Sequence, residues 1–192
     1  NVFKMAIDWI GRRIFWTKVS GRIWEMQIFV VNLDGKHERA LTTTQSWAFD
    51  IAVDPLSGYL FWTERNANRV QRMNLAKNDI VTVANGRRPC ALSVDYTNKQ
   101  VYWVSHRNRI LSSDYDGKAT TTVKSGSFNK LLLGIFEHSV YFQKKNVRYI
   151  NEMNITNGII SHSIKVDKTK YRDLLIVHNS LQPMAAQECS ST

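Results

Sequence analysis

Three carboxylates recur in one frame. Asp8, Asp54 and Asp95 each lie eight residues before a tryptophan, at Trp16, Trp62 and Trp103. A repeated carboxylate could ligate a metal, move a proton, or cap a turn by accepting backbone N–H bonds. The neighbours favour the turn. Each Asp closes a short apolar stretch, as in Met5-Ala6-Ile7-Asp8, Ile51-Ala52-Val53-Asp54 and Leu92-Ser93-Val94-Asp95, and turn-forming residues follow. His37, His106, His138, His162 and His178 stand at no metal-ligand spacing from another His or Cys. Neither Gly-x-Ser-x-Gly nor His-Glu-x-x-His occurs. No catalytic residue, metal or cofactor is expected, and the chain is not expected to be an enzyme.

The second candidate chemistry is recognition of negative charge. The net charge is +10 and the pI about 9.8, which favours acidic partners. Cations gather after each aromatic motif (Lys18 and Arg22, Arg65 and Arg69, Arg107 and Arg109, Lys144 and Lys145) and before the next unit (Arg87 and Arg88, Lys130, Arg172). Trp47, Phe49, Phe128 and Tyr171 are interleaved with them. Arg and large aromatics supply most binding hot spots. The plain alternative is a set of short polar loops that merely collect charge. His106, beside Arg107, is a candidate pH switch, because its protonation would add charge to a basic face.

The elements that must position these residues form a repeat. Phe15-Trp16-Thr17 returns as Phe61-Trp62-Thr63, Tyr102-Trp103-Val104 and Tyr141-Phe142-Gln143, at spacings of 46, 41 and 39 residues. In the fourth copy Gly134 stands eight residues before Phe142, in the Asp place. Each unit reads as four short strands. The second turn carries Asn32-Leu33-Asp34-Gly35, Asn74-Leu75-Ala76-Lys77, Asp114-Tyr115-Asp116-Gly117 or Asn154-Ile155-Thr156-Asn157-Gly158. Asp-Gly and Asn-Gly supply the positive φ of a tight hairpin. Four antiparallel strands with a period near forty make the blade of a β-propeller. Trp16, Trp62, Trp103 and Phe142 then pack between blades rather than bind ligand. The first unit has four extra residues around Trp24-Glu25-Met26, predicting a longer hairpin or a bulge.

Cys90 follows Arg-Arg-Pro into an apolar strand and reads as a buried free thiol, while the partner of Cys189, in a polar tail, could lie beyond Thr192. No run of ~18 apolar residues is present, so no membrane insertion by this segment is expected. Asn1-Val2-Phe3-Lys4 lacks signal-peptide character, and the chain is expected to be a piece of something longer. Asn154-Ile155-Thr156 is the one glycosylation sequon, on a predicted turn.

The repeat resembles the YWTD, or class B, repeat of the low-density lipoprotein receptor family, nearest to the receptor-related proteins and the epidermal growth factor precursor. The likeness rests on Ala-Val-Asp before Phe-Trp-Thr, on Asn-Leu-Asp-Gly, and on the exit Leu174 to Ala185 with Gln182-Pro183. It implies an all-β YWTD-type propeller with four blades present of six, plus a closing strand at about Leu174–Val177. Residues 1–183 would be propeller, and 184–192 a linker into an EGF-like module opened by Cys189. The Asp that ends the tetrapeptide in the family is here Lys18, Glu64, Ser105 and Lys144. The resemblance implies a non-catalytic extracellular binding or scaffold module of an endocytic receptor ectodomain, reaching endosomes on internalisation. Its partners would be flanking EGF-like modules and an acidic protein segment or sulfated glycan, not nucleic acid. A growth-factor precursor or Wnt co-receptor type is the alternative. A calcium-dependent propeller hydrolase comes third, because turns already account for the repeated Asp.

Overall fold

The computed structural model describes residues 2–19, 25–44, 46–167, 174 and 176. Alternating apolar and polar residues, broken by turns, yield sixteen strands in four sheets among the described residues. The first blade holds β1 (Val2–Asp8), β2 (Arg13–Val19), β3 (Met26–Asn32) and β4 (Arg39–Thr44). The second holds β5 (Ala48–Asp54), β6 (Tyr59–Glu64), β7 (Arg69–Asn74) and β8 (Ile80–Asn85). The third holds β9 (Leu92–Asp95), β10 (Gln100–Ser105), β11 (Arg109–Asp114) and β12 (Thr121–Ser125). The fourth holds β13 (Phe128–Phe136), β14 (Ser139–Lys144), β15 (Tyr149–Asn154) and β16 (Ile160–Lys165). Each sheet is an antiparallel meander in chain order. In every blade the last strand pair carries a register shift, at the same place in the first three blades and two residues further along in the fourth.

Successive side chains of the aromatic strand point to opposite faces. Trp62 joins Phe15, Met26 and Ile28 in the core between the first two blades. Its neighbour Phe61 joins Trp103, Val101 and Tyr115 in the next core. Tyr102 meets Phe142, Val140 and Met153 in the third. Trp62 and Trp103 are 1% exposed, and Phe142 is fully buried. Trp16 departs from the expected packing between blades. It is half-buried and stacks on Phe29 at 5.6 Å, on a face that also carries Met5, 66% exposed, and Ile7, 53% exposed. No blade lies against that face among the described residues.

The repeated Asp caps its turn. Asp8 Oδ1 accepts from Gly11 N at 2.7 Å, Asp54 Oδ1 from Leu56 N at 2.9 Å, and Asp95 Oδ1 from Asn98 N at 3.0 Å. Gly134 does not occupy the Asp place, which corrects the reading from the eight-residue spacing. The ladder sets Gly134 opposite Tyr141, as Ala6 is opposite Phe15 and Ala52 opposite Phe61. The cause is a shorter turn: Phe136 pairs with Ser139 directly around Glu137-His138, with Glu137 at φ 51°. A Cβ on Gly134 would stand 2.8 Å from Ile176 Cδ1 and 3.2 Å from Leu174 Cδ2. Those two residues thus pack on the outward face of the fourth blade, although neither belongs to a strand. The rest of the expected closing strand, Tyr171 and 184–192 lie outside the described residues. In the first blade the β2–β3 pairing is unbroken to Val19 opposite Met26, and residues 20–24, on which the expected longer hairpin or bulge falls, lie outside the described residues.

The inner strands are also tied by charge. Asp50 on β5 accepts from Leu92 N of the third blade at 2.9 Å and pairs with Lys4 Nζ of the first at 3.6 Å.

Candidate functional site

The loops at one end of the blades are stitched together by one repeated pattern. Arg65 N donates to Trp47 O at 3.0 Å, His106 N to Arg87 O at 3.2 Å, and Lys145 N to Ser127 O at 2.9 Å. Arg65, His106 and Lys145 therefore hold the same place in successive blades, each just past the aromatic strand. Asn68, Asn108 and Asn146 sit at φ near 60° in the same three loops, a conformation Asn tolerates. Arg88 also has positive φ, 45°, and its N–H donates to Asn68 Oδ1 at 2.9 Å.

These loops converge on Lys130. It lies in β13 where pairing with β14 is irregular, between Phe128 and Leu133. The irregularity lets Lys130 reach His106, whose Nδ1 contacts the ammonium. Burial pulls the Lys130 ammonium below its ordinary value, and the nearby Arg65, Lys145 and Arg88 add to the effect. The same Lys130 is the main cause holding His106 below the usual imidazole range, with Arg88 and Arg65 contributing. Cys90 lies beneath, fully buried and free, its thiol donating to Arg88 O at 3.3 Å. Burial pushes that thiol up, against the pull of Arg65 and Lys130. Arg65 stacks over Phe49 at 5.2 Å. Arg65, Arg88, His106, Lys130 and Lys145 form no ion pair with a carboxylate among the described residues. Like charge is thus concentrated and left to solvent, an arrangement that attracts an anion.

The other candidates fall elsewhere. Arg69 is paired with Glu64 at 2.8 Å, so its charge is answered within the blade. Arg87, Arg107, Arg109 and Lys144 are exposed at the same end, outside the Lys130 group. Trp47 is half-buried and meets Phe3 edge-on at 5.6 Å. Phe128 is a correction: it is 2% exposed and packs edge-on against Phe142 at 5.2 Å, a core residue rather than part of a binding face. The connector ahead of it is only Gly126-Ser127, so the strand begins at Phe128 and turns its ring inward. Arg22, Tyr171 and Arg172 lie outside the described residues.

Asn154 stands at the opposite end, where Asn154 Oδ1 accepts from Thr156 N at 2.9 Å and Asn157 N at 3.2 Å. Its side-chain N–H groups make no hydrogen bond among the described residues. No group of three or more His, Cys, Asp or Glu that could hold a metal occurs among the described residues, and no helix is long and apolar enough to cross a membrane.

No family model matches the chain. Three curated relatives are all described as proto-oncogene tyrosine-protein kinase ROS. The Rattus norvegicus protein is 29% identical over 194 residues, covering 94% of this chain. The Mus musculus protein is 25% identical over 195 residues, and the Gallus gallus protein 21% over 199. The chain spans 8% of the length of each. Among solved structures, a chain of the nidogen/laminin complex matches with a TM-score of 0.61 at 13% identity, covering 85% of this chain and 80% of that one.

Proposed function

We propose, from the premise that these four sheets are YWTD-type propeller blades, the class B repeats of the low-density lipoprotein receptor family, that the chain is a non-catalytic extracellular protein-binding module of a receptor-like ectodomain. The observation that carries this reading is the Arg65, Arg88, His106, Lys130 and Lys145 cluster, built from three blades at one end with no carboxylate paired to it among the described residues. Its ligand is an acidic protein segment. Aromatic Phe49 under Arg65 and half-buried Trp47 beside it favour a peptide over a purely ionic chain, because they offer apolar contact next to charge. The likeness to a chain of a protein–protein complex supports the same class of partner. Flanking EGF-like modules would be held in place by the propeller, and a glycan on Asn154, at the far end, would leave the basic end clear.

Binding of a polyglutamate peptide tests the reading. Charge reversal at Arg65, Arg88 and Lys130 together should weaken binding at least tenfold and flatten its dependence on salt. Unchanged affinity and unchanged salt slope would remove this end of the propeller as the site.

A further inference from the structure

The second blade fills with its own side chain a position that the third blade leaves without an acceptor. In the second blade the Glu64 carboxylate is 1% exposed. It accepts from Trp62 Nε1 at 3.0 Å and from Arg69 Nε at 2.9 Å, and Arg69 Nη2 stands 2.8 Å away. The strand ladders fix the equivalents in the third blade. Glu64 pairs with Arg69, and Ser105 with Arg109. Ile51 pairs with Trp62, and Leu92 with Trp103. Both donors are retained, as Trp103 and Arg109, but the carboxylate is replaced by the short Ser105. Trp103 is 1% exposed, and its Nε1 is a buried donor with no acceptor among the described residues. Arg109 forms no ion pair among the described residues and is exposed. Beside the indole, a Cβ placed on Gly86 would stand 3.9 Å from Trp103 Nε1 and, its own chain neighbours aside, meet nothing else within 4 Å. The side of Gly86 that faces the indole is thus open to a small group, while the N–H itself is covered.

We propose that Trp103 Nε1, the Arg109 guanidinium and the space over Gly86 form a carboxylate-binding notch, which takes an Asp or Glu side chain of the protein partner. The chemistry is that already seen one blade earlier, supplied in trans. A carboxylate is acceptor-only, and its two oxygens match an indole N–H and a guanidinium donor, as Glu64 demonstrates. The identity of the partner rests on the acidic-segment reading above; the notch itself does not. Its neighbour at the same end is the Lys130 cluster, so one acidic segment can engage both.

The indole N–H resonance of Trp103 in the 15N-labelled protein reads the notch directly, assigned by its disappearance in Trp103→Phe. Sodium formate replacing sodium chloride at constant ionic strength should move this resonance downfield and saturably, while the Trp62 resonance stays still. In Ser105→Glu the resonance should already sit at the bonded position and ignore formate, and the melting temperature should rise by about 2–4 °C. Arg109→Gln should weaken the formate response by about tenfold. If Ser105→Glu does not fold, Glu64→Ser gives the converse arm: it should make the Trp62 resonance formate-sensitive. A Glu-containing peptide should reproduce the Trp103 shift, and its Gln counterpart should not. A Trp103 resonance indifferent to formate, or equally responsive in Ser105→Glu, overturns the notch. A formate response without a Glu-peptide response makes it a small-anion site and overturns the partner side chain. Peptide binding that leaves Trp103 unmoved overturns the notch as the partner's site while keeping the wider basic-end reading.

Discussion

Trp62 donates its indole N–H to Glu64 two residues along the same strand, at 3.0 Å, with Arg69 closing the carboxylate from the paired strand. With the Gln71 amide oriented to satisfy both neighbours, it adds a donor to Glu64 Oε1 at 2.9 Å and accepts from Arg69 Nε. A carboxylate this buried is held only because each lone pair is met. Glu64→Ala should therefore cost about 2–4 kcal/mol in urea unfolding, because it leaves both the indole N–H and the Arg69 charge unanswered. Arg69→Ala should recover much of that loss in the double variant if the unanswered Arg69 charge is the larger part. A full recovery would mean the indole bond contributes nothing.

Asp54 ties one turn to the next blade. It is fully buried and accepts from Leu56 N, Ser57 N, Lys99 Nζ at 3.2 Å and Tyr115 OH at 3.0 Å. Burial and then the Asp54 carboxylate push the Tyr115 phenol well up, so it stays a neutral donor. Asp54→Ala should destabilise by about 2–4 kcal/mol. Asp54→Asn should cost less, since its amide oxygen still caps the turn. Equal losses in the two variants would show that the charge, not the cap, carries the effect.

His106 should make the folded chain acid-sensitive. Lys130, Arg88 and Arg65 face it and hold its folded value below the unfolded one, ~6.5. As pH falls through the ordinary imidazole range the unfolded chain takes a proton that the folded chain refuses, so stability is lost on acidification. Melting temperatures at pH 7.5 and 5.5 should differ more for the wild type than for His106→Gln. An anion bound at the Lys130 cluster reverses the sign, because its charge favours protonated His106. Polyglutamate affinity should then rise on acidification in the wild type and not in His106→Gln, provided the peptide remains ionised. Parallel pH profiles for the two proteins would show that His106 does not titrate in this range.

Much of the fold is legible because the repeat is written in residue types with one structural use each. Asp before an aromatic strand reads as a turn cap, and Asp8, Asp54 and Asp95 are turn caps. Cys90 reads as a buried free thiol, and it is one. Legibility fails where register, not composition, decides. Gly134 counts as the Asp equivalent by spacing, but a turn two residues shorter moves it beside Tyr141. Phe128 looks like a loop aromatic until the strand is seen to begin there. The answered charge of Arg69 and the unanswered charge of Arg109 are the same residue type at the same place. Only the cross-strand partner, Glu64 or Ser105, separates them, and that partner is named by the ladder. Lys130 stands in the sequence as one cation of the basic set, but its contact with His106 is not legible there: it is made through an irregular stretch of an inner strand, which no short-range pattern announces.

Trp16 and Trp62 share a register position but not an environment, and the two should differ in energy accordingly. Trp62 fills the space between two blades, so Trp62→Ala should cost about 3–5 kcal/mol through lost burial and a cavity. Trp16 has Phe29 on one side and no blade over it among the described residues. Trp16→Ala should cost only about 1–2 kcal/mol, since little new cavity is made. Urea denaturation of the two variants under identical conditions compares them. The open apolar face adds a second readout, because exposed Met5 and Ile7 beside Trp16 make an apolar surface of the kind that promotes self-association. Met5→Lys with Ile7→Thr should lower any concentration-dependent light scattering without lowering the urea midpoint. A Trp16→Ala loss as large as that of Trp62→Ala would mean that the face is covered in solution, and sedimentation velocity on the same samples would identify a second copy as the cover or dismiss it.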